Sequence, residues 1–401
     1  MEQSRVGDVG GSLVQRTDSF QRSVNLDANA NAAPTEAVIR AVERALRNGA
    51  NPSSAHGGGD TSRVEIERTR DAVAALVEGA WPENIVFTSG CTEANNQVVR
   101  SAEQHGATVI LSSVEHPSVA RAAEAARQAG RQVEILPVDP AGRVRLDVLE
   151  QRLERLAGPI LLSIQAANSE TGVLQPLEAI STIARRRTDV WLHADAAQAF
   201  GKMKLTLGPD GVDVLTVSGH KVHAPMGVGA LLTAEGDERV RPSQFGGDQE
   251  GGLRAGTQPV SLIAGFGEAC AERLSSWDRD VGHMATLRDR LEQALLNALP
   301  GSWINGAAAP RLPNTTNIGV RGLESTALVG VLDAGGIFAS QGSACHSRRP
   351  EPSPVLRAMG LSEEAAYSSV RFSVSPLNTL EEIDAAVPVI VEACRLLGIR
   401  A

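Results

Sequence analysis

The chain has 401 residues, a formal net charge of −9, 42% hydrophobic and 21% charged residues, the profile of an ordinary globular protein with room for more than one domain. The acidic balance disfavours non-specific nucleic-acid binding and attraction to anionic membranes, and the apolar runs at 327–332 and 385–391 are too short or too interrupted to span a bilayer. Four cysteines, Cys91, Cys270, Cys345 and Cys394, stand far apart without metal-ligand spacing, which argues against a disulfide framework or structural zinc and suits a reducing cytoplasm.

Residues 1–23 are polar with no apolar core, so they read as a flexible arm and not as a signal peptide. A segment over 24–50 precedes a large domain over 51–257. There, strand-length apolar runs at 85–88, 108–111, 133–137, 160–164, 190–193, 212–217 and 229–233 alternate with amphipathic stretches at 117–129, 146–156 and 177–187. This alternation predicts an α/β fold with a mostly parallel seven-stranded sheet flanked by helices. After about 257 the texture changes. Helical patterns at 259–276 and 284–299 lead to strands at 316–320, 337–339 and 370–374 and a last helix at 380–397, a smaller α/β domain over 258–401. Ligands of such sheets gather at the carboxyl ends of the strands.

Basic side chains supply the next clue. Of 38 Lys+Arg, only Lys202, Lys204 and Lys221 are lysine. An amine that attacks a carbonyl cannot be replaced by a guanidinium, so a lysine kept at 221, directly after a strand, invites a chemical reason. Lys202 and Lys204 read as ordinary solvated surface charges.

Pyridoxal phosphate (PLP) asks for an amine, an acid at its ring nitrogen, a phosphate cup, a flat partner for the ring and a cation for the substrate carboxylate. Lys221 in Ser218-Gly219-His220-Lys221 supplies the amine, with Ser218 and His220 as phosphate donors. Asp195, at the end of a strand, supplies the acid, with Gln198 placed to donate to the ring hydroxyl; an N-cap is its bland alternative. The turn Thr88-Ser89-Gly90-Cys91-Thr92 between strand and helix supplies exposed amides and the Thr92 hydroxyl for an anion. Cys91 reads there as a small packing residue. His116, in Glu115-His116-Pro117, can stack on a ring and relay protons as a catalytic group; Arg371, on a strand, can grip a carboxylate bidentately. Cys345 lies in Gly342-Ser343-Ala344-Cys345-His346 beside Arg348 and Arg349, surroundings that favour a reactive thiolate.

With these stretches assembled, together with Asn51-Pro52-Ser53-Ser54-Ala55-His56, Glu170-Thr171-Gly172 and Leu253-Arg254-Ala255-Gly256-Thr257, the chain resembles the cysteine desulfurases of the class-V aminotransferase family, fold type I PLP enzymes. The resemblance runs from about 26 to 397 and implies that the segment over 24–50 packs on the small domain. It implies a Schiff base on Lys221, Asp195 at the pyridine nitrogen and His116 stacked on the ring. It further implies cofactor contacts from Cys91, Thr92, Asn168, Ser169, Gln198, Ser218 and His220, with Thr257 reaching the phosphate across the interface of a homodimer. Arg371 and Asn29 then bind the substrate L-cysteine, and Cys345, on a long mobile loop, carries the persulfide to a protein acceptor. No metal is implied.

Four departures bear on this. Ser169 stands where the family has an amide, Asp27-Ala28-Asn29-Ala30-Asn31-Ala32 matches only part of the family's Asn- and Thr-rich run, Gly251 stands where an arginine is common, and the chain ends at Ala401 without the tail that housekeeping members use to dock an iron–sulfur scaffold. They point to a specialised sulfur-transfer role. The competing readings are a related PLP lyase or aminotransferase, such as a selenocysteine lyase, and a non-catalytic binding protein on the same fold.

Overall fold

The computed structural model describes residues 23–341 and 352–399. Seven strands form one sheet in the order Ile85–Thr88, Gly229–Thr233, Val214–Ser218, Val190–Asp195, Ile160–Ser163, Thr108–Ser112, Val133–Leu136. Gly229–Thr233 pairs antiparallel with both neighbours, and the other pairs are parallel. The α/β architecture expected from the alternating pattern is therefore the one observed. Thr108–Ser112, Ile160–Ser163 and Val190–Asp195 are buried at every position, as strands covered on both faces must be.

Because successive side chains on a strand alternate faces, the sheet separates two cores. Val109, Leu161 and Leu231 meet Val98, Ala102 and Val119 of the helices Cys91–Gln104 and Pro117–Gln128 on one face. Ile110, Leu162 and Leu232 meet Ile66, Leu149, Ile180 and Phe266 on the other. A third core is built around Leu287, Leu291, Ile318, Phe372, Ile383 and Ile390, against an antiparallel sheet of Ser302–Ile304, Thr315–Val320 and Ser369–Ser373. Val24–Asn25 pairs with Ile337–Phe338, which brings Leu26 into this smaller core. The following helix, Glu36–Asn48, turns away and packs on Val260–Ser275, with Val38 in the larger core.

Some elements differ from the pattern reading. The helix expected from 284 begins at Trp277. Gly57–Ala74 is helical although it opens on three glycines, which disfavour helix; His56 compensates by accepting the Gly59 amide on Nδ1. Among the described residues, no helix is long and apolar enough to cross a membrane.

Candidate active site

Each parallel strand delivers its loop to the same edge of the sheet, and the loops enclose a cavity of about 290 Å³. It is lined by Cys91, Thr92, His116, Gln165, Ser169, Asp195, Gln198, Ser218, His220 and Lys221 from the large sheet, and by Asn29 and Arg371 from the smaller sheet and the segment beside it.

Lys221 follows Val214–Ser218 in a single turn, Gly219–Lys221. Its Nζ donates to the carbonyls of Asn29 at 2.6 Å and Ala30 at 2.9 Å. Burial, and next the Arg371 guanidinium, push its pKa down to about 8. Near neutrality a useful fraction is then the uncharged, nucleophilic amine.

Asp195 ends Val190–Asp195 and is 6% exposed. A buried carboxylate needs partners. Oδ1 accepts from the Ala197 amide at 2.9 Å and faces Cys91 Sγ at 3.3 Å, while Oδ2 accepts from Asn95 Nδ2 at 2.8 Å. Asn95 is locked in turn: it donates to Ser118 Oγ at 2.9 Å and accepts from Thr216 Oγ1 at 2.5 Å. The Cys91 thiol is pushed well up by burial and then by Asp195, so it stays protonated and packs.

His116 caps the helix Pro117–Gln128, its Nδ1 accepting the Ser118 amide at 3.1 Å. That contact fixes the ring and leaves Nε2 as its second polar edge. Burial lowers its pKa most; Asp195 opposes this and Lys221 adds to it. Ser218 Oγ lies 3.0 Å from His220 Nδ1, and the His220 pKa is pushed to about 4 by burial and then by Lys221 and Lys202.

The cup opposite these donors is open. The helix Cys91–Gln104 begins at Gly90 with no side-chain cap on its first amides, so the amides and the helix dipole are free for an anion. Gly90 holds φ at 153°, and a Cβ on Gly229 would lie 2.7 Å from the Gly90 Cα. The turn therefore needs glycine at both positions.

On the substrate side, Arg371 is 3% exposed. It donates to Asp27 Oδ1 at 2.5 Å and, through Nη1, to the Ser169 carbonyl at 3.2 Å, while its buried Nε has no partner among the described residues. A guanidinium with a spare buried donor is equipped for a further acceptor such as a carboxylate. Asn29 donates to Thr315 Oγ1 at 2.9 Å and to the Ser169 carbonyl at 3.2 Å, and accepts from Asn314 Nδ2 at 3.0 Å.

One expected contact is not brought to this cavity. The Asn168 side chain is used inside its own turn: Oδ1 accepts the Glu170 and Thr171 amides at 2.9 Å each, and Nδ2 donates to the Val114 carbonyl at 3.2 Å. Thr257 is exposed and lies outside the cavity lining of its own chain. Cys345 and its flanking Gly342 to Arg349 lie outside the described residues. Lys202 is a correction: expected in solvent, it is 5% exposed, because the turn after Asp195 folds it inward, while Lys204 two residues on is exposed. Asn95, Gln165 and Asp27 were missed. Asn95 was within reach of the pattern, one helical turn after Cys91 on the same face. Asp27 was not, since it meets Arg371 across 344 positions.

An amine of lowered pKa beside a hydrogen-bonded carboxylate fits an aldehyde and a ring nitrogen; the uncapped helix amides with Ser218 and Thr92 fit a phosphate. One cofactor presents all of these groups, and fold and site together define a pyridoxal-phosphate enzyme of fold type I. A family model described as aminotransferase class-V matches residues 24–386. The chain is 40% identical over 382 residues to a cysteine desulfurase of Trichormus azollae, covering 94% of each. It is 37% identical over 368 residues to the cysteine desulfurase NifS of Azotobacter vinelandii, covering 91% of this chain and 90% of that one. A NifS-like protein from Rickettsia africae has a similar structure, with a TM-score of 0.85 at 31% identity over 93% of this chain and 100% of that one. The chain belongs to the aminotransferase class-V family, and its cofactor is pyridoxal phosphate.

Proposed function

We propose that this chain is a PLP-dependent cysteine desulfurase. It takes sulfur from L-cysteine, releases L-alanine and leaves a persulfide on Cys345 for a protein acceptor. The observation that carries the reading is the convergence of Lys221, Asp195, His116 and Arg371 on one cavity.

Bound there, pyridoxal phosphate supplies an electron sink for negative charge at the carbon beside the substrate amine. The Asp195 carboxylate, held by Asn95 and the Ala197 amide, would hold the ring nitrogen and its proton. Thr92, Ser218 and His220 would hold the phosphate, and His116 would stack on the ring. Arg371 grips the substrate carboxylate through its spare donor. Lys221 Nζ would move the Cα proton of the substrate.

The sulfur step falls to Cys345. Ser340 pairs with Arg371, the Arg371 amide donating to its carbonyl at 2.7 Å. Cys345 follows Ser340 by five residues, a reach of up to about 18 Å and long enough to enter the cavity. Its thiolate attacks the substrate sulfur: the S–S bond forms, the Cβ–S bond breaks, and Cβ gains a proton on the way to alanine. The enzyme acts as a homodimer in the cytoplasm, Thr257 crossing to the other subunit's phosphate, and its departures at Ser169 and Gly251 suit a dedicated sulfur pathway.

The test is incubation with L-cysteine, following alanine and sulfide together with the mass of the Cys345 peptide. One added sulfur on that peptide and one alanine per turnover are expected. Cys345→Ala is expected to keep the cofactor and lose sulfide release; full release by that variant would overturn the mechanism.

A further inference from the structure

Lys202 has no place in the mechanism above, yet it is 5% exposed and forms no ion pair among the described residues. A buried ammonium without an acid is costly. Burial, then Lys221, Arg273 and Arg371, press its pKa down to about 7. Its Nζ donates to Gln198 Oε1 at 3.4 Å. The other end of that carboxamide, Nε2, donates to the Asn29 carbonyl at 3.0 Å, and Lys221 Nζ donates to the same carbonyl at 2.6 Å. The two lysines are thus joined through one side-chain amide and one backbone oxygen.

A carboxamide can sit either way round. Turned over, Gln198 would set its NH₂ against the Lys202 ammonium, donor against donor, and its oxygen against the Asn29 carbonyl, acceptor against acceptor. Lys202 thereby selects one orientation, the one that keeps the NH₂ on the cavity side next to Lys221.

We propose that Lys202 is a positioning residue for the cofactor: it holds Gln198 Oε1 so that the Gln198 NH₂ faces the ring hydroxyl oxygen of pyridoxal phosphate. The proposal rests on the cofactor role given to Gln198 above. Leucine or methionine would fill the same space at lower cost in stability, but neither carries the donor that orients the amide.

The experiment measures the dissociation constant of pyridoxal phosphate added back to cofactor-free protein, by its visible absorbance, for the wild type, Lys202→Met, Gln198→Leu and the double variant. Lys202→Met is expected to weaken binding about 3–10-fold, the worth of one oriented hydrogen bond. Lys202→Arg, which offers N–H donors and no acceptor, recovers part of that loss. In the Gln198→Leu background Lys202→Met changes nothing, because the two act as one unit. Thermal melting of the cofactor-free variants verifies folding, and Lys202→Ala takes the place of Lys202→Met should that variant not fold. An unchanged constant for Lys202→Met, or a loss of the same size in both backgrounds, overturns the role of Lys202. An unchanged constant for Gln198→Leu instead overturns the cofactor role of Gln198, and this proposal with it.

Discussion

Replacing Arg371 by lysine separates charge from geometry at the substrate end of the cavity. The arginine is buried and already engaged with Asp27 and the Ser169 carbonyl, with Nε unpartnered among the described residues. A substrate carboxylate taken by Nε and an adjacent Nη gains two charge-assisted bonds of about 1.5–3 kcal/mol each. Lysine keeps the charge but offers a point donor in place of the planar fork, so about one of these bonds is lost. Since ~1.36 kcal/mol corresponds to tenfold in rate, kcat/KM for L-cysteine should fall about 10–150-fold. The assay is sulfide release across a range of L-cysteine concentrations, repeated with L-cysteinamide, whose carboxylate is neutralised. With the amide, Arg371→Lys should stay within about threefold of the wild type, because the interaction it removes is already absent. Equal losses on both substrates would refute the reasoning, since the arginine would then act on the fold or the cofactor and not on the carboxylate.

Asn95→Leu removes one hydrogen bond to the Asp195 carboxylate and one each to Ser118 and Thr216, whose hydroxyls keep His116 and His193 as side-chain partners. Urea unfolding of the cofactor-free protein should show a loss of about 3–5 kcal/mol, and a loss below about 1 kcal/mol would contradict the proposed locking of Asp195. Lys221 reacts with an aldehyde only as the neutral amine. With its pKa at about 8, the rate of cofactor uptake by the apoprotein should rise as pH passes upward through 8 and then level off. A rate still climbing near pH ~10, the range of an ordinary lysine, would show that burial and Arg371 do not lower it.

The large sheet was legible because its strands are buried on both faces and read as unbroken apolar runs between amphipathic helices. The residues that face the cavity at strand ends, Asp195, Ser218 and Lys221, were legible for the same reason, since a strand end fixes where the next side chain lies. What escaped depends on long-range packing. The pairing of Asp27 with Arg371 is set by the small sheet bringing residues near both chain ends together. Asn168 has the composition of a cofactor ligand, but its side chain closes the turn that precedes Gly172. Lys202 looked like surface charge because sequence shows residue type and not which way a turn folds; its burial follows from the tight packing of Gly201 against Val222 and Arg273.

The central claim is that the cofactor is held by the amine at 221. Borohydride reduction of the protein loaded with pyridoxal phosphate, followed by peptide mass mapping, tests it directly, because the chain contains three lysines. The account predicts the reduced adduct on the Lys221 peptide alone. An adduct on Lys202 or Lys204 with Lys221 unmodified would contradict it.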